Sequence, residues 1–310
     1  MTRPELQKIL QGFAIPFTNQ PKAVNINCPY CVGSSSRQRD DKYRCGIFHL
    51  KLRYHCWRCK RTGSLFELLE TLVGLTHDEY QRILGNKNQY LEDTPANTIR
   101  RKLINKEHDK IKSPETVTLP SSTAIDKITI KTYPLLKKFL YDRKIDVETC
   151  WEYEARYTGN AGEFAQRLII PIYENDRLVA WQGRDITNKS KTKYHTHGNV
   201  MQTLYWSTWC ENPTRIYLVE GIFDCWRMEY NVVSSFSKSL TRRQRMLLVK
   251  DQQISELIIC WDSDAYKESV QTARDLAPIL DRVGVVRLPD GTDPDTLGSD
   301  NVRGLEIRWI

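Results

Sequence analysis

Two Cys-x-x-Cys pairs constrain the fold of this 310-residue chain more than any other feature of its sequence. The first pair is Cys28 and Cys31, the second is Cys56 and Cys59, and 24 residues separate them. Two residues between thiolates allow one tight turn to offer both sulfurs to a single ion, and four such sulfurs match tetrahedral zinc. The alternative is a set of buried free thiols, but two correctly spaced pairs rarely arise by chance. We therefore predict an N-terminal zinc ribbon that holds one structural zinc ion.

The residues between the two pairs alternate between apolar and polar types, which predicts one continuous strand. Cys45 and His49 are competing ligands, but in such a strand His49 points away from the second pair. We therefore assign zinc to the paired cysteines and leave Cys45 as a spare thiol. The polar face carries His49, Lys51 and Arg53, and Trp57 is nearby. This face could bind a single-stranded template by phosphate contact and base stacking, although an ordinary solvated face is an equal alternative.

Composition and charge argue against a membrane span and favour a polyanion partner. The chain has a net charge of +8, and no apolar run approaches the roughly 20 residues that a membrane helix needs. The N-terminus lacks the apolar core of a signal peptide. We expect a cytoplasmic protein, in which nine cysteines stay reduced and suggest metal binding before disulfides.

Three segments differ in composition and give the predicted domains. Residues 1–85 are rich in cysteine, arginine and aromatic residues, whereas residues 86–122 are polar and punctuated by proline, which predicts a linker. In residues 123–310, strands and helices interleave, which favours a mostly parallel α/β sheet. Within this segment, RLIIPIYENDRLVAWQGRD predicts a β-hairpin that turns at Asn175 and Asp176. The predicted fold is therefore an α/β protein with a small N-terminal zinc ribbon on a linker.

Acidic residues follow three predicted strands, in the motifs YLVEGIFD, IICWDSD and LPDGTDPD. In an open α/β sheet the C-terminal strand ends face one crevice, and carboxylates gathered there repel one another unless a cation is bound. Oxygen ligands suit Mg²⁺ or Mn²⁺. Helix capping would better explain an isolated Asp-x-Asp, but three such strands favour a catalytic metal site. The candidate acids are Glu220, Asp224, Asp262, Asp264, Asp293 and Asp295.

Basic residues before and between these motifs are candidates to bind phosphate. Acids for a metal beside bases for phosphate are the arrangement that phosphoryl transfer needs. Taken singly, each of these side chains is more simply explained as a surface charge. The candidates are Arg167, Arg184, Lys193 and Lys238.

The order of motifs resembles a known family. The zinc ribbon is followed by RLIIPI, WQGRD, KYHTHG, YLVEGIFDC, SFSKSLTRRQ, ICWDSD and LPDGTDPDTL. From about residue 20 to residue 298, this order resembles the DnaG-type primases of bacteria and bacteriophages. The resemblance implies a zinc-binding domain and an RNA polymerase domain with a TOPRIM fold, in which residues 123–213 form the N-terminal subdomain and residues 214–300 the TOPRIM subdomain.

The resemblance also implies roles for the candidate residues. The family's metal-binding acids match Glu220, Asp262 and Asp264, and the other three acids match supporting positions. The first three basic candidates match residues that handle template and nucleotide phosphates, and the zinc domain of this family helps to select the template start site. Two positions depart from the family pattern: Ser263 replaces a frequent glycine, and Lys238 replaces a small residue.

These features predict a DNA primase, which synthesises short RNA primers on single-stranded DNA from ribonucleoside triphosphates. The chain ends soon after DPDTL, so we expect a stand-alone phage or mobile-element enzyme whose replicative helicase is encoded separately. A TOPRIM nuclease would use the same acids, but it has less use for the basic RLIIPI and QGRD motifs. A non-catalytic accessory protein that binds single-stranded DNA would use the acids only as helix caps, which three converging strands disfavour.

Overall fold

Three β-sheets and three hydrophobic cores lie within the part of the chain that the computed structural model describes. No helix in that part is long and apolar enough to cross a lipid bilayer. The described residues are 3–20, 23–32, 42–49, 52–59, 61–76, 79–80, 83, 96, 98–100, 102–103, 114–174, 177–207, 214–251 and 254–310.

The N-terminal unit combines an antiparallel sheet with two helices. Its elements are α1 (Arg3–Gly12), β1 (Phe17–Asn19), β2 (Val24–Ile26), β3 (Cys45–Phe48), β4 (Arg53–Cys56), β5 (Thr62–Ser64) and α2 (Leu65–Val73). The strands are hydrogen-bonded in the order β1-β2-β3-β4-β5. Helix α2 begins where the Ser64 hydroxyl accepts a hydrogen bond from the Glu67 backbone N–H, and it ends at Gly74 with a φ of 68°. Both ends therefore have the caps that satisfy unpaired backbone groups.

The predicted continuous strand between the cysteine pairs is wrong. The chain instead reverses direction, and β3 and β4 form an antiparallel hairpin in which Cys45 lies opposite Cys56. Leu52 adopts a left-handed φ of 50° before β4. Neither an Asn-Gly nor an Asp-Gly pair marks this reversal in the sequence, and the alternating pattern continues through it. Consequently, His49 follows β3 with 1 % of its surface exposed and does not lie on an open polar face.

A second antiparallel sheet follows, accompanied by three helices. In chain order its elements are β6 (Thr123–Ala124), α3 (Lys127–Thr132), α4 (Pro134–Asp142), α5 (Val147–Glu152), β7 (Arg156–Tyr157), β8 (Arg167–Glu174), β9 (Arg177–Asp185) and β10 (Tyr194–Gly198). The strand order is β10-β9-β8-β7-β6. The predicted hairpin is confirmed as β8 and β9, which pair from Arg167 opposite Asp185 to Glu174 opposite Arg177. Its predicted turn residues, 175–176, lie outside the described residues.

The third sheet confirms the predicted α/β fold. Its elements are β11 (Tyr205–Trp206), β12 (Arg215–Val219), α6 (Ile222–Met228), β13 (Val232–Ser234), α7 (Arg242–Lys250), β14 (Glu256–Ile259), α8 (Tyr266–Leu276), β15 (Arg282–Val286), α9 (Pro294–Leu297), α10 (Ser299–Arg303) and β16 (Ile307–Trp309). The strand order is β11-β13-β12-β14-β15-β16. The four inner strands are parallel and the two edge strands are antiparallel.

Strand β12 shows why the inner strands appear in the sequence as short, continuous apolar runs. Ile216 and Leu218 belong to a core on one face of the sheet, and Tyr217 and Val219 belong to the core on the other face. The second of these cores also contains side chains of β8, so it joins the second and third sheets. A parallel strand buried on both faces does not need the alternation of a half-exposed strand.

Arg100, within the predicted linker, is bound to the unit of the third sheet. Its side chain is fully buried. Its Nε donates to the Val249 carbonyl at 2.7 Å, its Nη1 to the Ile254 carbonyl at 2.9 Å, and its Nη2 to the Asp251 carbonyl. These acceptors lie at the end of α7 and just beyond it, where carbonyls lack intrahelical partners and the helix dipole favours a cation. Arg100 therefore caps a helix that is distant in sequence.

We expect Arg100→Met, which keeps an apolar side chain but removes all three donors, to lower the free energy of unfolding by about 2–4 kcal/mol, because buried carbonyls lose a charged donor. Urea unfolding followed by circular dichroism would measure the change. Lys102→Met, at an exposed position two residues away, should change it by less than about 0.5 kcal/mol. Equal stability of the two variants would contradict the capping role.

Candidate functional site

The four paired cysteines form a cluster in the N-terminal unit. Cys31 lies in a 3₁₀ turn at Pro29–Val32, and Cys56 ends β4. Their sulfurs are 3.6 Å apart, and those of Cys28 and Cys59 are 3.8 Å apart. All four sulfurs lie within 4.8 Å of one another. The predicted cluster is therefore present, and its four sulfur donors support a structural zinc site.

The environment of these thiols disfavours their ionised form in the absence of a metal. Burial, and then a hydrogen bond with Cys56, raise the pKa of Cys31 to about 11. The pKa of Cys28 is also raised, chiefly by a hydrogen bond with Cys45. Cys45 and His49 are not members of the cluster. Zinc fits such a site because it binds thiolates and displaces their protons.

Parallel strand pairing brings the candidate acids to one edge of the third sheet. Leu218 of β12 lies opposite Ile259 of β14, and the Cys260 N–H continues the pairing by donating to the Leu218 carbonyl at 2.8 Å. Glu220 comes two residues after Leu218, and Asp262 comes three residues after Ile259. Strand β15 is the other parallel neighbour of β14 and leads into the third acidic loop. The three acidic strand ends therefore share one edge.

Some acids at this edge accept no hydrogen bond from the described residues. Among them, Asp262 lies where an ionised carboxylate is least favoured. Burial, and then the charges of Glu220, Asp293 and Asp264, raise the pKa of Asp262 to about 6. Its Oδ1 is buried and has no hydrogen-bond donor in the described part of the chain. Burial and the charge of Asp264 also raise the pKa of Glu220. A buried carboxylate oxygen without a donor is a position that a cation would satisfy.

The acids are close enough to perturb one another but are not gathered as tightly as the cysteines. Among the described residues, the cysteine cluster is the one group of three or more potential ligands whose atoms all lie within 4.8 Å of one another. A site with wider spacing suits an ion that keeps several waters and binds only one or two carboxylates directly, as Mg²⁺ does.

Asp224 connects two of the acidic segments. Its Oδ2 accepts a hydrogen bond from the Gly221 N–H at 2.8 Å, and its Oδ1 accepts one from the Asp295 N–H at 3.1 Å. It therefore joins the start of α6 to the start of α9. Burial, and then the charges of Asp262 and Asp293, raise the pKa of Asp224 to about 7 against the lowering effect of these hydrogen bonds. The bonds identify Asp224 as a positioning residue.

The two acids at the start of α9 already have partners within the chain. Asp293 accepts a hydrogen bond from the Thr296 N–H at 2.7 Å and so caps the helix. Asp295 pairs with Arg143 Nη1 at 2.6 Å and with Arg227 Nε at 3.4 Å. Sequence reasoning missed Arg143, because a single arginine after a helix carries no signal of this contact.

The buried cation of the site is Arg184. It is 3 % exposed and its guanidinium carbon lies 4.9 Å from the centre of the Tyr194 ring, while its Nε and Nη1 have no hydrogen-bond acceptor in the described residues. Burial lowers its pKa. The charge of Arg184 is the main cause that lowers the pKa of Lys193, so the two side chains are near one another. The charges of Asp293 and Asp262 oppose this lowering. The structure thus brings Arg184 and Lys193 close to the acids.

The other two basic candidates have different surroundings. Arg167 donates from Nη1 to the Gly183 carbonyl at 2.9 Å, and from Nη2 to the Ser190 hydroxyl and the Thr192 carbonyl, both at 3.1 Å. It therefore supports the loop between β9 and β10. Lys238 Nζ lies 3.3 Å from an Asp264 carboxylate oxygen in an exposed ion pair.

Ser263, which replaces the glycine frequent in similar motifs, links two acidic loops. Its hydroxyl accepts a hydrogen bond from the Gly291 N–H at 3.0 Å, and its own N–H donates to the Thr292 carbonyl at 3.1 Å. A glycine would make only the second of these bonds. The serine side chain therefore holds the third acidic loop beside the Asp262 and Asp264 pair.

The predicted template face of the N-terminal unit lies partly against the second unit. Arg53 Nε is 3.3 Å from a carboxylate oxygen of Glu154, and its guanidinium carbon is 5.7 Å from the centre of the Tyr173 ring. The ring centres of Trp57 and Trp151 are 6.2 Å apart. His49 is buried, as described above, and position 51, the predicted template contact Lys51, lies outside the described residues.

Comparisons with solved structures find DnaG-type primases. The Aquifex aeolicus primase, comprising zinc-binding and RNA polymerase domains, has 17% identity and a TM-score of 0.47, over 98% of this chain and 83% of that one. A DnaG primase catalytic domain bound to ssDNA has 17% identity and a TM-score of 0.49, over 68% and 81%. The primase fragment of the bacteriophage T7 primase-helicase protein has 16% identity and a TM-score of 0.41, over 91% and 94%. No family model and no curated protein matches the chain.

We expect Cys56→Ser to lose about one zinc ion per chain, because a cluster with three sulfurs binds zinc more weakly than one with four. Cys45→Ser is the matched control, since Cys45 is buried beside the cluster but is not part of it. Inductively coupled plasma mass spectrometry of the purified proteins would measure the metal. Zinc loss in Cys45→Ser but not in Cys56→Ser would contradict the ligand set.

The raised pKa of Asp262 predicts a pH-dependent cost of folding. Because the folded pKa, about 6, lies above the usual pKa of an aspartate, the folded state binds this proton more tightly, and stability falls as the pH rises between the two values. Allowing for solvent screening, Asp262→Asn should raise the free energy of unfolding at pH 8 by about 1–2 kcal/mol and leave it nearly unchanged at pH 4.

Urea unfolding without added Mg²⁺ or Mn²⁺ would test this difference. Asp290→Asn is the control, because Asp290 is an exposed acid in the third acidic loop. An Asp262→Asn protein that gains no stability at pH 8 relative to the control would show that the carboxylate is not destabilised.

Proposed function

We propose that this protein is a DNA primase, a nucleotidyltransferase that synthesises short RNA primers on single-stranded DNA. The observation that carries the proposal is the Oδ1 of Asp262, which is buried without a donor among the described residues at an edge where three acidic strand ends meet. Arg184 is also buried, and two of its nitrogens have no acceptor in the described part of the chain. Its charge lowers the pKa of Lys193, and the charges of Asp293 and Asp262 oppose this effect. Acids that attract a cation beside a fixed guanidinium suit phosphoryl transfer better than helix capping does.

The donor set fits Mg²⁺ or Mn²⁺, which we propose is held by Glu220, Asp262 and Asp264. Carboxylate oxygens are the ligands that these ions prefer, and burial, followed by neighbouring carboxylates, raises the pKa of both Glu220 and Asp262, which a bound cation would oppose. When bound, such an ion would neutralise charge on the triphosphate of the incoming nucleotide.

In the proposed reaction, the 3′-hydroxyl of the initiating nucleotide or primer attacks the α-phosphate, a new P–O bond forms, and pyrophosphate leaves. Arg184 has N–H groups on Nε and Nη1 that have no acceptor among the described residues and could donate to phosphate oxygens, and its position over the Tyr194 ring limits the entropy lost on binding. Lys193 contributes a second positive charge. Asp224 acts indirectly, because its two hydrogen bonds fix the starts of α6 and α9.

We assign three parts to the proposed enzyme: a zinc ribbon (1–85), a linker (86–122) and an RNA polymerase domain (123–310) whose third sheet is the TOPRIM subdomain. Its substrates would be ribonucleoside triphosphates and single-stranded DNA, in a bacterial or phage-infected cytoplasm. The T7 protein in the comparison is a primase-helicase, and we propose that a replicative helicase is the partner here. The ion pair of Arg53 with Glu154 and the contact of Trp57 with Trp151 join the proposed ribbon to the proposed polymerase domain.

A primer-synthesis assay with single-stranded DNA, labelled ribonucleotides and Mg²⁺ or Mn²⁺ tests the proposal. The wild type and Asp290→Asn should make oligoribonucleotides, and Asp262→Asn should make at least about a hundredfold less, because a charge at the reacting centre is lost. Template cleavage without synthesis would instead support a TOPRIM nuclease. DNA binding with neither product would support a non-catalytic accessory protein.

A further inference from the structure

The segment from residue 127 to residue 144 is unusually basic. It contains six basic residues and one acid, a net charge of +5 in a chain whose total is +8. Helices α3 and α4 account for most of it. These helices therefore form a basic part of the second unit, which the proposed reaction has not used.

The outer face of these helices also exposes large side chains. Helix α4 buries Leu136, Phe139 and Leu140 against the core, so Tyr141 on its opposite side is 82 % exposed. Ile128 of α3 is 74 % exposed. Single exposed apolar residues are ordinary on a protein surface, but here they alternate with lysines on the same helical faces.

Most of these lysines lack a compensating charge. Lys138 pairs with Asp142 at 2.7 Å. Lys127, Lys131 and Lys137 are exposed and form no ion pair with a residue that the structure describes. On α4, Tyr141 follows Lys137 by four residues, which is the spacing of neighbours on a helix surface.

This surface continues to the proposed active site. Arg143, the residue after α4, pairs with Asp295 at 2.6 Å and lies with its guanidinium carbon 4.5 Å from the centre of the Phe223 ring of α6. The nine residues of α4 extend about 14 Å. A strand that leaves the acidic edge past Arg143 would therefore meet Tyr141 and Lys137 next.

We propose that the outer face of α3 and α4 is a track for the single-stranded DNA template beside the acidic edge, with Lys127, Lys131 and Lys137 at its phosphates and Tyr141 stacked on a base. The inference rests on the proposed function, because it assigns a path to the template of that reaction. Lysines with an interleaved aromatic ring fit a single strand, whose unpaired bases expose their faces, better than they fit an acidic protein surface.

Fluorescence anisotropy of the full chain with a fluorescein-labelled oligothymidylate would test the track. Lys131→Gln/Lys137→Gln should weaken binding severalfold and reduce the slope of log affinity against log salt concentration by about 1.4, since each phosphate contact to a single strand contributes about 0.7. Tyr141→Ala should weaken binding roughly five- to 150-fold, whereas Tyr141→Phe should retain it, because stacking needs only the ring.

The matched control is Lys8→Gln/Arg274→Gln, which removes the same charge from exposed positions on α1 and α8. An equal loss of affinity in the control, or unchanged affinity in the Lys131 and Lys137 double variant, would overturn the proposal and leave the face to an acidic protein or to solvent. If Tyr141→Ala binds the oligothymidylate as tightly as the wild type does, the stacking contact and the proposed track are both refuted.

The binding result is separable from the proposed reaction. A wild type that makes no primers but binds through Tyr141 and the lysines would refute the primase and retain the track. A wild type that makes primers but is indifferent to these substitutions would retain the primase and refute the track.

Discussion

The parallel pairing of β12 with β14 is the constraint on which the candidate active site depends. Because the two strands run in the same direction, Glu220 and Asp262 leave the same edge of the sheet, and the charge of Glu220 raises the pKa of Asp262. This arrangement is unfavourable on its own. The fold tolerates it because the strands beneath are buried on both faces, in one core shared with the second sheet and another beneath α8. At the candidate site, among the described residues, Asp262 Oδ1 and two nitrogens of Arg184 are buried without a hydrogen-bond partner.

How much the sequence predicts depends on whether a feature is local. The cysteine pairs, the β8–β9 hairpin and the acids that directly follow apolar strands are local patterns, and each was predictable. The reversal between β3 and β4 was not, because alternation continues through it and only the left-handed Leu52 reveals it. The pairing of Arg143 with Asp295 depends on how α4 packs near α9, and the Ser263 bond to Gly291 joins two separate loops. Such contacts are tertiary, and no residue spacing encodes them.

The N-terminal unit illustrates how tertiary contact changes the meaning of a sequence pattern. Arg53 and Trp57 were predicted to face a nucleic acid, and in the structure they contact Glu154 and Trp151 of the second unit. A partly exposed ion pair of this kind contributes little free energy, about 0–1 kcal/mol, so the aromatic contact contributes more to holding the units together.

The buried position of Arg100 limits the length of chain that connects the N-terminal unit to the rest of the protein. The last ribbon residue described is 83 and the anchored segment begins at 98, so at most about 50 Å of fully extended chain separates them. If this connection extended to residue 123 and not only to residue 98, it would be more than twice as long. A short connection keeps the N-terminal unit at a high local concentration around the rest of its own chain. For the N-terminal unit to reach a distant neighbouring molecule, the Arg100 guanidinium would therefore first have to leave the end of α7.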